Sequence, residues 1–154
     1  MNETEYKDLH MTRTFDAPRD LVWKAWTDPK LLAQWWGPHG FTAPYCELEL
    51  RVGGKYLVHM QDPEGNINPM NGVIQEINPP EKLVLLTQIS FEMDGKRPEA
   101  NILTTFLFID KGSQTEIKLV AHPVKVDPEL ADAINGMEEG WSQTFEKLQA
   151  LFTK

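Results

Sequence analysis

Four histidines, His10, His39, His59 and His122, and one cysteine, Cys46, are the first residues to test for metal or nucleophile chemistry. No pair of these histidines has the spacing of a metal-binding helix or a zinc loop, and a site would need ligands gathered from distant strands without thiols. Three serines occur, Ser90, Ser113 and Ser142, and none lies in a Gly-x-Ser-x-Gly context, so a serine nucleophile has no motif behind it. Cys46 follows Tyr45 at the start of an expected strand. A reactive thiolate needs positive charge beside it, and none is evident, so Cys46 reads as a small buried hydrophobe. Gly53-Gly54 marks a hairpin turn rather than a phosphate cradle, since no helix follows and no lysine holds the P-loop position. Glu47 and Glu49 alternate with Leu48 and Leu50, which places the carboxylates on the solvent face. We therefore expect no metal and no cofactor, and the sequence shows no proton-transfer group poised for acid–base work.

What remains is enclosure. By strand parity Tyr56, Val58 and Met60 point one way and Leu57 and His59 the other, while Ile102, Thr104, Phe106 and Phe108 form a second row on one face. A terminal helix would add Met137, Trp141 and Phe145 from above. Methionine and aromatic side chains at a helix–sheet junction make an adaptable apolar pocket. Trp36, Phe41 and Met70 are expected at its rim, near the Gly37–Gly40 and Asp62–Asn68 loops. The Tyr56 hydroxyl, the Trp141 indole and His59 are the candidate donors, although parity sets His59 on the face opposite Tyr56.

The elements that must position these residues follow from periodicity. Residues 6–15 alternate as a half-buried strand, with Leu9, Met11 and Phe15 on one parity. Arg13 interrupts that parity: its head either reaches water at the strand end or is buried against a carboxylate. Asp16-Ala17-Pro18 opens a helix with Pro18 at its first position, and Asp28-Pro29 opens a second that runs to Gly37-Pro38. From Tyr45 to His122 the period becomes two, and turn residues divide the stretch into six strands near 46–52, 55–61, 70–77, 82–91, 100–109 and 115–122. Turns such as Met93-Asp94-Gly95 are short enough to force antiparallel neighbours. From Pro128 to Phe152, Ile134, Met137, Trp141, Phe145, Leu148 and Phe152 recur at helical steps, giving one long amphipathic helix. The sum is an α+β domain: a strand, two short helices, a six-strand meander forming a curved antiparallel sheet, and a long C-terminal helix covering one face.

At 154 residues the chain has the length of one domain, taken as residues 1–154. Fifteen Lys+Arg against 23 Asp+Glu give a net charge of −8 without a basic cluster, which argues against a nucleic-acid partner. The N-terminus lacks the features of a signal peptide, and no apolar run approaches the roughly 20 residues of a membrane span. One thiol forms no internal bridge. We expect a cytoplasmic protein without membrane contact, as a monomer or homodimer.

Several motifs then occur in a recognisable order: Arg13-Thr-Phe-Asp-Ala-Pro18, Val22-Trp23-Lys-Ala-Trp26-Thr-Asp-Pro29, Gln34-Trp-Trp-Gly-Pro38, Arg51-Val-Gly-Gly-Lys-Tyr56, the run from Gly72 to Leu83, and Gly140-Trp141. Across about residues 6–152 the chain resembles the family named for the activator of the Hsp90 ATPase, within the START/Bet v 1-like (SRPBCC) group. The resemblance implies the helix-grip fold, with a hydrophobic cavity between the sheet and the terminal helix. It implies no one activity: relatives bind lipids, hormones or polyketides, some are cyclases or dehydratases, and the eukaryotic namesake is a co-chaperone that joins such a domain to a separate N-terminal one. That added domain is not expected here, which weakens direct chaperone activation. The leading expectation is a binding protein for a small hydrophobic or amphipathic ligand. Behind it stand a cyclase- or dehydratase-like enzyme on an aromatic or polyketide-like substrate, and a chaperone-binding domain.

Overall fold

The computed structural model describes residues 6–90 and 94–153; the expected strand end at Phe91 and the turn residue Met93 lie outside them. Seven strands form one antiparallel sheet: β1 (Leu9–Phe15), β2 (Thr42–Leu48), β3 (Lys55–Gln61), β4 (Ile67–Asn78), β5 (Lys82–Ser90), β6 (Glu99–Asp110) and β7 (Thr115–Val126). Their order is β1-β7-β6-β5-β4-β3-β2, so the meander β2 to β7 is extended by β1 pairing with the last strand. Helices α1 (Arg19–Thr27) and α2 (Pro29–Leu32) lie between β1 and β2; a 3₁₀ turn (Pro128–Leu130), α3 (Ala131–Asn135) and α4 (Met137–Phe152) follow β7.

Alternation sets which face is inside. On β6, Ala100, Ile102, Thr104, Phe106 and Phe108 are buried in turn, and β7 answers with Thr115, Ile117, Leu119 and Ala121. Irregularities in register at Gln75 of β4 and at Val124 of β7, each an extra residue passed over by the pairing, bend the sheet around its inner face. The strand expected to end at 122 continues to Val126 because Pro123 pairs opposite Ile102 beside that irregularity, where a missing N–H is tolerated. At the opposite side of the sheet, Gly72 has no room for a side chain: a Cβ there would stand 2.6 Å from the Tyr56 carbonyl oxygen.

Helix α4 grips the sheet through its C-terminal half. Phe145 meets Phe15 of β1 edge to face at 5.4 Å, and Phe152 meets the same ring at 6.5 Å. Arg13 takes neither expected course: its guanidinium lies over the Phe145 ring at 5.9 Å and donates to Ser142 at 3.2 Å, so a ring face and a hydroxyl serve where a carboxylate was considered.

Other boundaries shift for local reasons. Pro18 is extended (φ −63°, ψ 154°) and precedes α1 rather than beginning it, while its carbonyl accepts from Leu21 and Val22. Asp28 caps α2 as expected, accepting from the Lys30 N–H at 2.9 Å, but α2 is a single turn. The first meander strand runs Thr42–Leu48, because residues 49–54 are occupied by a turn in which Gly54 N–H donates to Arg51 and Gly53 N–H to Ile74. The single terminal helix is instead broken at Gly136 (φ −90°, ψ 6°), a residue with poor helix propensity, so α3 and α4 are separate segments.

Candidate functional site: a cavity between sheet and helix

The C-terminal carbonyls of α1 have no intrahelical partners, and side chains from outside the helix satisfy two of them. The Trp35 indole N–H donates to Ala25 at 3.0 Å and the Tyr56 hydroxyl to Trp26 at 2.6 Å. This seats Trp26 at the centre of an aromatic cluster, 4.7 Å from Trp35, 4.5 Å from Phe106 and stacked on Trp141 at 6.3 Å. The Trp141 ring also meets Trp36 and Phe106 edge to face, each at 5.5 Å.

Beyond this cluster the sheet and helix part, leaving a cavity of about 290 Å³ that opens to one side. Its sheet wall is formed by Met60, Met70, Leu85, Thr87 and Ile89, continued by Ile102, Thr104 and Phe106. Its helical wall comes from Ile134 of α3 and Met137, Trp141 and Thr144 of α4, with Gly136 and Gly140 exposing backbone. Trp36, Gly37 and Pro38 close the third side.

That third side is tied to α4 by polar contacts one helical turn apart. Lys147 Nζ donates to the carbonyls of Gly37 at 3.1 Å and Phe41 at 3.0 Å, with Trp36 at 3.5 Å. Gln143 accepts from the His39 N–H at 3.0 Å, and Glu146 meets His39 Nε2 at 2.8 Å. Burial holds the Lys147 ammonium below the usual lysine range.

Among the described residues lining the cavity, none is ionisable. Thr87 Oγ1 donates to the Ile102 carbonyl at 3.2 Å and Thr144 Oγ1 to Gly140 at 2.8 Å. Two weak acids lie nearby in the sheet and are held protonated by burial: the Cys46 thiol is pushed up to about 11 and the Tyr56 phenol well above its ordinary range. No group of three or more His, Cys, Asp or Glu that could hold a metal ion occurs among the described residues.

Of the residues expected at the pocket, Trp36, Met60, Met70 and Ile102 line it, as do Thr104, Phe106, Met137 and Trp141. The other five lie elsewhere. Tyr56 and Val58 are fully buried in the core, Tyr56 because its hydroxyl is spent on α1. Phe108 packs against Trp23 at 5.1 Å beneath α1, and Phe145 is taken up by Phe15. Phe41 faces a separate polar cleft with Asp62, Asn68 and Arg97. His59 is on the outer face against Tyr45, 5.1 Å between rings, and so is no donor to the cavity. Glu47 pairs there with Tyr45 and Lys55, and the Tyr45 hydroxyl holds its carboxyl below the usual range. Sequence reasoning missed Leu85, Thr87 and Ile89, although their period-two row on β5 carried the same signal as the β6 row.

A curved antiparallel sheet closed over a C-terminal helix, with an apolar cavity between them, is the helix-grip fold of the START/Bet v 1-like proteins. Residues 16–153 match the family model described as activator of Hsp90 ATPase homolog 1-like protein, and the chain belongs to that family. Among solved structures, protein NE0264 from Nitrosomonas europaea is 27% identical with a TM-score of 0.76, over 94% of this chain and 92% of that one. The AHSA1 protein SPO3351 from Silicibacter pomeroyi shares the fold at 23% identity and a TM-score of 0.72, over 95% and 97% of the two chains. DynU16, a protein of the dynemicin biosynthetic locus, shares it at 19% identity and a TM-score of 0.64, over 95% of this chain and 47% of its own. No curated protein matches the chain. No helix among the described residues is long and apolar enough to cross a membrane.

Proposed function

We propose that the protein is a cytoplasmic binding protein that encloses a small, largely apolar molecule in the cavity between sheet and helix. The observation that carries this reading is the composition of the wall: aromatic, methionine and aliphatic side chains with a few hydroxyls, and no ionisable group among the described lining residues. Acid–base turnover requires a group that exchanges a proton within reach of substrate, and such a wall supplies enclosure and orientation in its place. The volume of 290 Å³ is about twice that of the roughly 150 Å³ cavity that holds one benzene, so the occupant has about two rings' bulk.

Native mass spectrometry of the freshly purified protein, followed by solvent extraction, tests this reading. A homogeneous bound species of matching size is expected. A protein that emerges free of small molecules, and gains none on incubation with an extract of its host, would contradict it. The family's name carries a second reading, a chaperone partner; stimulation of an Hsp90 ATPase by the purified protein would support it, and none at saturating protein would remove it.

A further inference from the structure

The cavity wall is not uniformly apolar, and its hydroxyls are not equivalent. A threonine hydroxyl has one proton to donate and lone pairs to accept with. Thr87 and Thr144 have already spent their protons on the carbonyls of Ile102 and Gly140, so each can only accept from a ligand. Thr104 differs. It is 4% exposed and lines the cavity, yet its hydroxyl has no hydrogen-bond partner among the described residues. Its oxygen is also not among the fully enclosed unpartnered polar atoms, which are Trp26 Nε1 and Gln149 Nε2. A buried hydroxyl left without a partner is costly, and the space able to supply one here is the cavity.

The register places this hydroxyl beside a complementary one. Thr87 stands opposite Ile102, and Thr104 is two residues farther along β6 on the same face. Such diagonal neighbours lie about 7–8 Å apart at their Cα atoms, near enough for one ligand oxygen to sit between the two side chains. That oxygen would accept from Thr104 and donate to Thr87, as a neutral hydroxyl can and a carbonyl or carboxylate oxygen cannot. The surrounding Trp36, Phe106 and Trp141 rings offer flat faces, and with no ionisable side chain on the described wall, an ionised ligand would enter without a counter-charge.

Resting on the cavity reading above, we propose that the site selects a neutral, flat hydroxy-aromatic ligand of about two rings, whose hydroxyl bridges Thr104 and Thr87. The test compares three naphthalenes by calorimetric titration at neutral pH: 2-naphthol, 2-methylnaphthalene and 2-naphthoate. A purely apolar pocket would favour the methyl compound, which water rejects more strongly than the alcohol. The proposal expects the reverse, with 2-naphthol about tenfold tighter, and 2-naphthoate weaker than 2-naphthol by at least a similar factor.

In Thr104→Val the preference for 2-naphthol over 2-methylnaphthalene should be lost. Thr104→Ser, which keeps the hydroxyl, should retain the preference and serves if the valine variant does not fold. Equal or tighter binding of 2-methylnaphthalene to the unaltered protein, or of 2-naphthoate, would overturn the hydroxyl proposal while leaving the cavity reading in place. Failure of all three compounds to bind would overturn both.

Discussion

Cys46 shows how a single side chain responds to its surroundings. It is half-buried, and burial moves its ionisation from 9.0 up to about 11. The folded pKa is the higher one, so the stabilisation from keeping the thiol protonated is complete below pH 9.0. It is lost as pH rises toward about 11. Alkylation of the folded protein by iodoacetamide should therefore be slow at pH 8 and climb with a midpoint near 11; a midpoint near 9.0 would show an ordinary thiol. The inert character of Cys46 was legible in the sequence because no basic residue adjoins it. The role of Tyr56 was not: parity gives the face of the strand, while the helix carbonyl that takes its hydroxyl belongs to Trp26, thirty positions earlier. Parity also cannot tell depth along a strand, which is why Phe108 and Phe106 look equivalent in sequence yet pack against α1 and line the cavity respectively.

At the scale of elements, the segment from Trp36 to Phe41 is held to α4 by Lys147, Gln143 and Glu146, and through it the third wall of the cavity is fixed. Lys147→Met keeps the apolar stem and removes the three carbonyl contacts. We expect it to cost about 1–2 kcal/mol in urea unfolding and to speed amide exchange at His39 and Phe41; unchanged exchange there would mean the segment is held by packing alone. Element type was readable almost throughout, since the periods of two and of three to four residues separate the meander from the terminal helices. Boundaries were less so. The break at Gly136 depends on one glycine in an otherwise helical pattern, and the extension of β7 past Pro123 depends on one extra residue, Val124, that the pairing with β6 passes over. Neither signal is carried by the residues' own periodicity.

For the molecule as a whole, family membership and a shared fold leave the activity open, and the case for binding rests on one enclosed space. Its existence was legible in the methionine and aromatic residues at the helix–sheet junction. Its content was less so, because the β5 row and the glycine-exposed helix backbone also form part of the wall. The five tryptophans provide the direct readout. Trp36 and Trp141 line the cavity, and their indole N–H groups have no hydrogen-bond partner among the described residues, whereas the Trp35 indole is occupied by Ala25. The decisive measurement is a nitrogen–proton correlation spectrum of the indole groups during titration with 2-naphthol. The Trp36 and Trp141 signals should move together and saturate while that of Trp35 stays in place. Indole signals that do not move up to the solubility limit of the compound would contradict a ligand-binding cavity.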